Sequence, residues 1–196
     1  MPKIQCFFLE PTDRGIRYLR RYVTSDLTGK GNKCPKTFVG YHEAYIPLEE
    51  VPIKIRSDGC QVETQQDVVP HNDSRWPKTC VCGRIFTSED IWQIVDHCLY
   101  RRADSGATMI LRDAPAGAMW YAPWMEDWIH GPDGHCLVVR TPVGEWMVDG
   151  PANNGPGWSR TGKPPKITAR PSIGQLGDDK AFRYHGFLTD GVLEDI

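Results

Sequence analysis

The stretch Thr87-Ser88-Glu89-Asp90-Ile91-Trp92-Gln93-Ile94-Val95-Asp96-His97-Cys98-Leu99-Tyr100-Arg101 decides how the fold is read. Hydroxyl residues followed by two acids have the form of a helix start, where side chains accept the amide protons that the first turn leaves without partners. Ile91, Ile94, Val95, Cys98 and Leu99 then recur at the spacing of one helix face. The pattern predicts a helix over about residues 88–101, with Trp92 and Cys98 in or beside its buried face. A lone helix of that length is marginal in water, so the face is expected to pack on a sheet.

On either side the signals are those of strands and turns. Nineteen glycines and sixteen prolines punctuate the 196 residues at short intervals, which suits short strands better than long helices. Residues 4–9 read as a first strand ended by Glu10-Pro11, residues 41–46 as another, and residues 18–23 as strand or helix. Residues 136–140 and 146–148 flank the turn-rich Thr141-Pro142-Val143-Gly144-Glu145 and predict an antiparallel hairpin. Residues 167–169 and 184–188 are further candidates, with Asp190-Gly191 turning into Val192-Leu193. Residues 49–73 are acidic and turn-rich, and residues 149–165 predict a loop long enough to suggest binding. The expected fold is α+β and β-rich: one antiparallel sheet, one clear helix, many loops and a zinc-knuckle-like segment. It forms a single domain over residues 1–196, with a metal-knuckle half at about 30–105 and a hairpin and loop-rich half at about 106–196.

The chain is 40% apolar and 24% charged with a net charge of −2, so no global field favours nucleic acid or an anionic membrane. Residues 1–36 carry eight Lys or Arg against three acids, with Arg14, Arg17, Arg20 and Arg21 close together. A solvated face is the expected role of that cluster, and nucleic acid an unlikely partner. No apolar run approaches the roughly 20 residues of a membrane-spanning helix, and the N-terminus lacks a signal peptide's apolar core. Seven cysteines, an odd number, without an export signal suggest free thiols or metal ligation in the cytoplasm more than a disulfide framework.

The strongest local chemistry lies in Trp76-Pro77-Lys78-Thr79-Cys80-Val81-Cys82-Gly83-Arg84-Ile85-Phe86. Two thiols followed by glycine resemble a knuckle that aims sulfur at one point, although one residue stands between the cysteines where zinc knuckles usually have two. Tetrahedral zinc needs two further ligands: Cys34 and His71 are the preferred completions, with Cys60 and His42 as alternates. A second constellation of His130, His135, Cys136, Asp149 and His185 contains the residue types of a cysteine hydrolase, but Cys136 opens a strand and lacks the helix N-terminus that lowers a thiol pKa. Trp120, Tyr121, Trp124 and Trp128 form the densest aromatic segment, a core cluster or else an exposed platform for sugar or base. The adjacent carboxylates Glu126 and Asp127 are poorly spaced for glycoside cleavage.

Several segments carry a resemblance: Cys6-Phe7-Phe8-Leu9-Glu10-Pro11-Thr12 with Tyr18-Leu19-Arg20-Arg21-Tyr22; Arg75-Trp76-Pro77 before the knuckle and Phe86; Leu111 through Trp120; Gly131-Pro132-Asp133-Gly134; and Tyr184-His185-Gly186-Phe187-Leu188. Together they resemble an uncharacterised family of small cysteine-knuckle proteins encoded by tailed bacteriophages and prophages. The resemblance implies a phage origin, with a location in the host cytoplasm or the virion and other phage proteins as partners, but no mechanism. Relatives typically have two residues between the knuckle cysteines and a second cysteine pair where this chain has Pro151-Ala152-Asn153-Asn154. A second metal site is therefore not expected. The functional expectation is a structural or interaction protein with structural zinc; the alternative is a cysteine- or metal-dependent hydrolase acting on peptide or glycan.

Overall fold

A computed structural model describes residues 3–23, 34, 36, 41–56, 59–62, 68–151, 157–176 and 182–196. These residues form thirteen strands and two short 3-10 turns, Leu111–Asp113 and Pro123–Met125, with no α-helix among them. No helix among the described residues is long and apolar enough to cross a membrane. The chain clusters into two compact units: Met1–Thr12, Ile55–Cys60 and Tyr100–Ile196 form one, and Asp13–Lys54 and Gln61–Leu99 the other.

In the first unit, β1 (Lys3–Gln5), β10 (Ser159–Lys163), β11 (Lys166–Leu176), β12 (Phe182–Thr189) and β13 (Val192–Asp195) make an antiparallel sheet in the order β1-β13-β12-β11-β10. The start of β2 (Phe7–Tyr22) pairs parallel with β7 (Ala118–Tyr121), which continues antiparallel into β8 (Leu137–Thr141) and β9 (Gly144–Met147). Two-residue alternation drives this arrangement: Trp146 is buried between exposed Glu145 and Met147, and buried Ile167 and Ala169 likewise recur at every second position. Their inward faces meet in a core of Met119, Leu137, Val139, Trp146, Ile167, Ile173 and Leu188. The predicted hairpin is β8–β9, with Thr141 paired to Gly144. Asp190 and Gly191, both at positive φ (46° and 74°), form the tight turn between β12 and β13, a geometry that Asp and Gly tolerate best. The predicted loop over residues 149–165 contains β10; residues 152–156 within it lie outside the described set.

In the second unit the rest of β2 runs antiparallel to β3 (Glu43–Arg56), from Arg14 opposite Pro52 to Tyr22 opposite Glu43. β3 continues through two prolines: Pro47 faces Tyr18 at a register shift, where the ladder is already interrupted. β5 (Ile91–Arg102) pairs with β2 and with β6 (Thr108–Ile110). Gly15 is required by this packing, because a Cβ there would lie 2.8 Å from the His97 carbonyl oxygen and 2.7 Å from Ile53.

Two expectations are thereby corrected. The single antiparallel sheet is replaced by two sheets, one containing a parallel pair. The helix over residues 88–101 does not form; the segment is β5. Its start signal is real but serves a turn: the Thr87 amide donates to Asp90 Oδ2 at 2.6 Å and the Asp90 amide to the Thr87 carbonyl at 3.2 Å. Beyond that turn, Ile91, Trp92, Ile94, Val95 and Tyr100 are β-branched or aromatic residues that favour a pleated surface. The strand buries Asp96 against Arg17 (Nε to Oδ1 2.9 Å). The clustered arginines of β2 are similarly engaged: Arg14 with Glu50, Arg20 with Glu43, and Arg21 donating to the Pro77 and Thr87 carbonyls.

Candidate metal centre

The knuckle is a tight turn closed by a bridge between Thr79 and Ile85. The Cys80 amide donates to the Arg84 carbonyl (2.8 Å) and the Gly83 amide to the Cys80 carbonyl (2.9 Å). Gly83 has φ +94°, and a Cβ on it would meet nothing within 4 Å. Backbone conformation rather than space therefore calls for glycine. The loop packs on Val23 and Phe86. Where β2 ends and β3 begins, the Val23 amide donates to the His42 carbonyl (3.1 Å), which holds His42 beside the turn.

These contacts gather Cys34, His42, Cys80 and Cys82, whose ligand atoms all lie within 4.8 Å of one another. Cys34 Sγ and Cys80 Sγ are 3.7 Å apart, and Cys82 Sγ and His42 Nδ1 are 3.2 Å apart. Thiolates about 2.3 Å from a tetrahedral ion would be roughly 3.8 Å from each other, so the sulfur pair has the right edge length for a shared metal. Three of the four residues are buried, with Cys82 partly exposed. Burial, the largest influence, pushes the Cys80 thiol pKa up, and the adjacent Cys34 and Cys82 sulfurs push the same way; hydrogen bonds from backbone Cys82 and Glu43 oppose them. Amides aimed at sulfur stabilise a thiolate, and a bound cation would remove the remaining penalty. The cluster is able to hold a metal ion.

Of the sequence candidates, Cys34, Cys80 and Cys82 come together and the alternate His42 completes the set. His71 is elsewhere: its ring stacks on Trp92 at 4.8 Å and 9°, and Arg21 lies over Trp92 at 3.7 Å. The side chain of Cys60 lies outside the described residues. Not every cysteine is a free thiol or ligand, because Cys98 is disulfide-bonded.

The histidines of the hydrolase constellation are held by groups other than the Cys136 thiol. Cys136 is fully buried and its pKa is pushed up to about 11, by burial first and then by Asp149 and Glu126. Asp149 accepts from Arg160 Nε (2.7 Å) and the Leu137 amide (2.9 Å), and His185 pairs with Ser172 (3.2 Å). His130 Nδ1 meets the Glu126 carbonyl, and His135 Nδ1 meets Glu126 Oε1 at 2.8 Å. The aromatic segment divides too: Trp120 is core, Tyr121 is half-buried in a cleft, and Trp124 and Trp128 are exposed.

One assembly had no counterpart in the sequence reading. Arg160 is buried and bonded to Asp133, to Asp149 and to the His135 carbonyl (3.1 Å). Comparison with known proteins finds no matching family model, no matching curated protein and no matching solved structure.

Proposed function

We propose that this chain is a structural or interaction protein whose second unit is held together by zinc bound to Cys34, His42, Cys80 and Cys82. The convergence of three sulfurs and one imidazole nitrogen within 4.8 Å carries the reading. Sulfur-rich tetrahedral sets favour zinc, and four protein ligands leave no open position for substrate or activated water, so the ion's role is structural. The knuckle also presents Val81 and Ile85, 62% and 71% exposed, as apolar surface that a protein partner would cover. The phage setting and phage-protein partners rest on the sequence resemblance alone. The hydrolase alternative draws no support from Cys136, whose thiol is buried and protonated at neutral pH.

The test is metal content by plasma mass spectrometry on freshly purified protein, with melting curves in the presence and absence of chelator. About one zinc per chain and a lower melting temperature on chelation are expected. Metal-free protein that melts identically with chelator would overturn the reading.

A further inference from the structure

Outside the metal cluster, the most organised polar assembly surrounds His135 in the first unit. Its amide donates to Asp133 Oδ1 (3.1 Å), and its carbonyl accepts from the Gly131 amide (2.9 Å) and from Arg160 Nη2. Its Nδ1 is held by Glu126, and its ring lies 4.6 Å from that of Tyr121. Tyr121 is fixed in turn by its hydroxyl on Asp133 (3.1 Å) and by the edge of Phe8 (5.2 Å). A half-exposed histidine restrained at its amide, carbonyl, ring face and one ring nitrogen is far more ordered than a solvated side chain has reason to be. Its other nitrogen, Nε2, has no partner among the described residues, and neither does the Lys163 ammonium across the same cleft.

That cleft has a volume of about 560 Å³ and is walled by Phe8, Tyr121, His135, Pro132 and Pro164, within the size range of small-ligand sites. Its charge narrows the choice of ligand. Asp133 and Asp149 pair with Arg160, Glu126 holds His135, and Lys163 lines the cleft, so these groups sum to one net negative charge with His135 neutral and none with it protonated. An anion gains nothing from such a field, whereas a neutral polyhydroxylated ring does not depend on it. Aromatic and proline faces accept the apolar side of a sugar ring, while Nε2 and the ammonium hydrogen-bond its hydroxyls.

We propose that the cleft is a binding site for a neutral saccharide, with Phe8, Tyr121 and His135 as the stacking wall and His135 and Lys163 as the hydroxyl contacts. The proposal rests on the interaction role above, adds a ligand class to it, and assigns it to residues of the first unit, whereas the metal ligands belong to the second. Asp133, Asp149 and Arg160 are positioning residues, since their polar atoms are committed to one another and to the backbone.

The experiment uses the full chain, with its metal content recorded, against immobilised N-acetylglucosamine oligomers, maltooligosaccharides and galactooligosaccharides, and against inorganic phosphate in solution. At least one neutral oligosaccharide should bind. The double variant His135→Ala/Lys163→Ala should weaken it at least tenfold without moving the melting temperature. Absence of binding to every neutral sugar, binding unaffected by the double variant, or binding of phosphate alone would overturn the proposal. Absence of sugar binding by the native chain carrying one zinc would count against the cleft only; sugar binding by a native chain that carries no zinc would count against the metal reading only.

Discussion

The two units hold their irregular segments by different means. In one, a turn from Thr79 to Ile85 and the separate residues Cys34 and His42 converge on a point suited to a metal ion. In the other, the loop that carries Asp133 and His135 is gathered around the guanidinium of Arg160, which is 2% exposed and paired with Asp133 and Asp149. The Arg160 guanidinium gives its loop one cationic centre with several partners to converge on, and the metal ion proposed at the sulfur cluster would do the same for the other. The cations differ in kind. An exchangeable ion needs deprotonated ligands and can be stripped, whereas a guanidinium is covalently part of the chain and charged at every accessible pH.

The sharpest way to break the comparison is to remove the metal. Cys80→Ser, or chelator on the native protein, should cost on the order of 10 kcal/mol of local stability if zinc holds the unit, because metal-binding free energy is then folding free energy. Hydrogen exchange should show the loss across Asp13–Lys54 and Gln61–Leu99. Unchanged protection there would mean that the four residues pack as ordinary thiols and imidazole.

Next comes the other hub. Arg160→Met strands two carboxylates, one of them in Asp149 with a side chain only 4% exposed, and should cost about 3–5 kcal/mol, read by denaturant melting. Chelator should not alter that cost. A smaller probe of the same hub is Gly131→Ala. A Cβ at that position would collide with Arg160 Nη2 and Asp149 Oδ1, so a loss of about 1–3 kcal/mol is expected from overpacking. If Gly131→Ala melts like the native protein, the Arg160–Asp149 pair has room to shift and is a softer hub than its burial suggests.

How much of this could be read from the sequence depends on whether the signal was local. The β8–β9 hairpin and the knuckle turn were readable because alternation, glycine and closely spaced thiols act within a dozen residues. The segment 88–101 misled because its apolar residues satisfy helical spacing, while the choice of strand is made by pairing with β2 and by Arg17, 79 positions from Asp96. From its polar, turn-rich context His71 is the preferred ligand and His42 an alternate; the pairing of the Val23 amide with the His42 carbonyl, a contact between distant residues, helps bring His42 to the sulfurs instead. The Arg160 hub left no trace at all. Its carboxylates lie 11 and 27 positions away, and the pairing of separate strands brings them together.

Acid should separate the two devices most gently. Burial alone would raise the Asp133 carboxyl, but the Arg160 guanidinium, the His135 amide and the Tyr121 hydroxyl outweigh it and hold the pKa at about 2, below the ordinary 3.8. A depressed carboxylate contributes stability that is complete above its unfolded value, and that contribution fades as pH falls from about 4 towards 2. Its size is small, because the side chain is 36% exposed and solvent screens the pair. The metal set should fail at higher pH, since protons compete for three thiolates and an imidazole. Followed by hydrogen exchange as the pH is lowered, protection should therefore disappear first in Asp13–Lys54 and Gln61–Leu99 and only later around Asp133. Asp133→Asn should flatten the second step and leave the first untouched. If both steps persist in that variant, Asp133 is not the group whose protonation weakens the Arg160 hub.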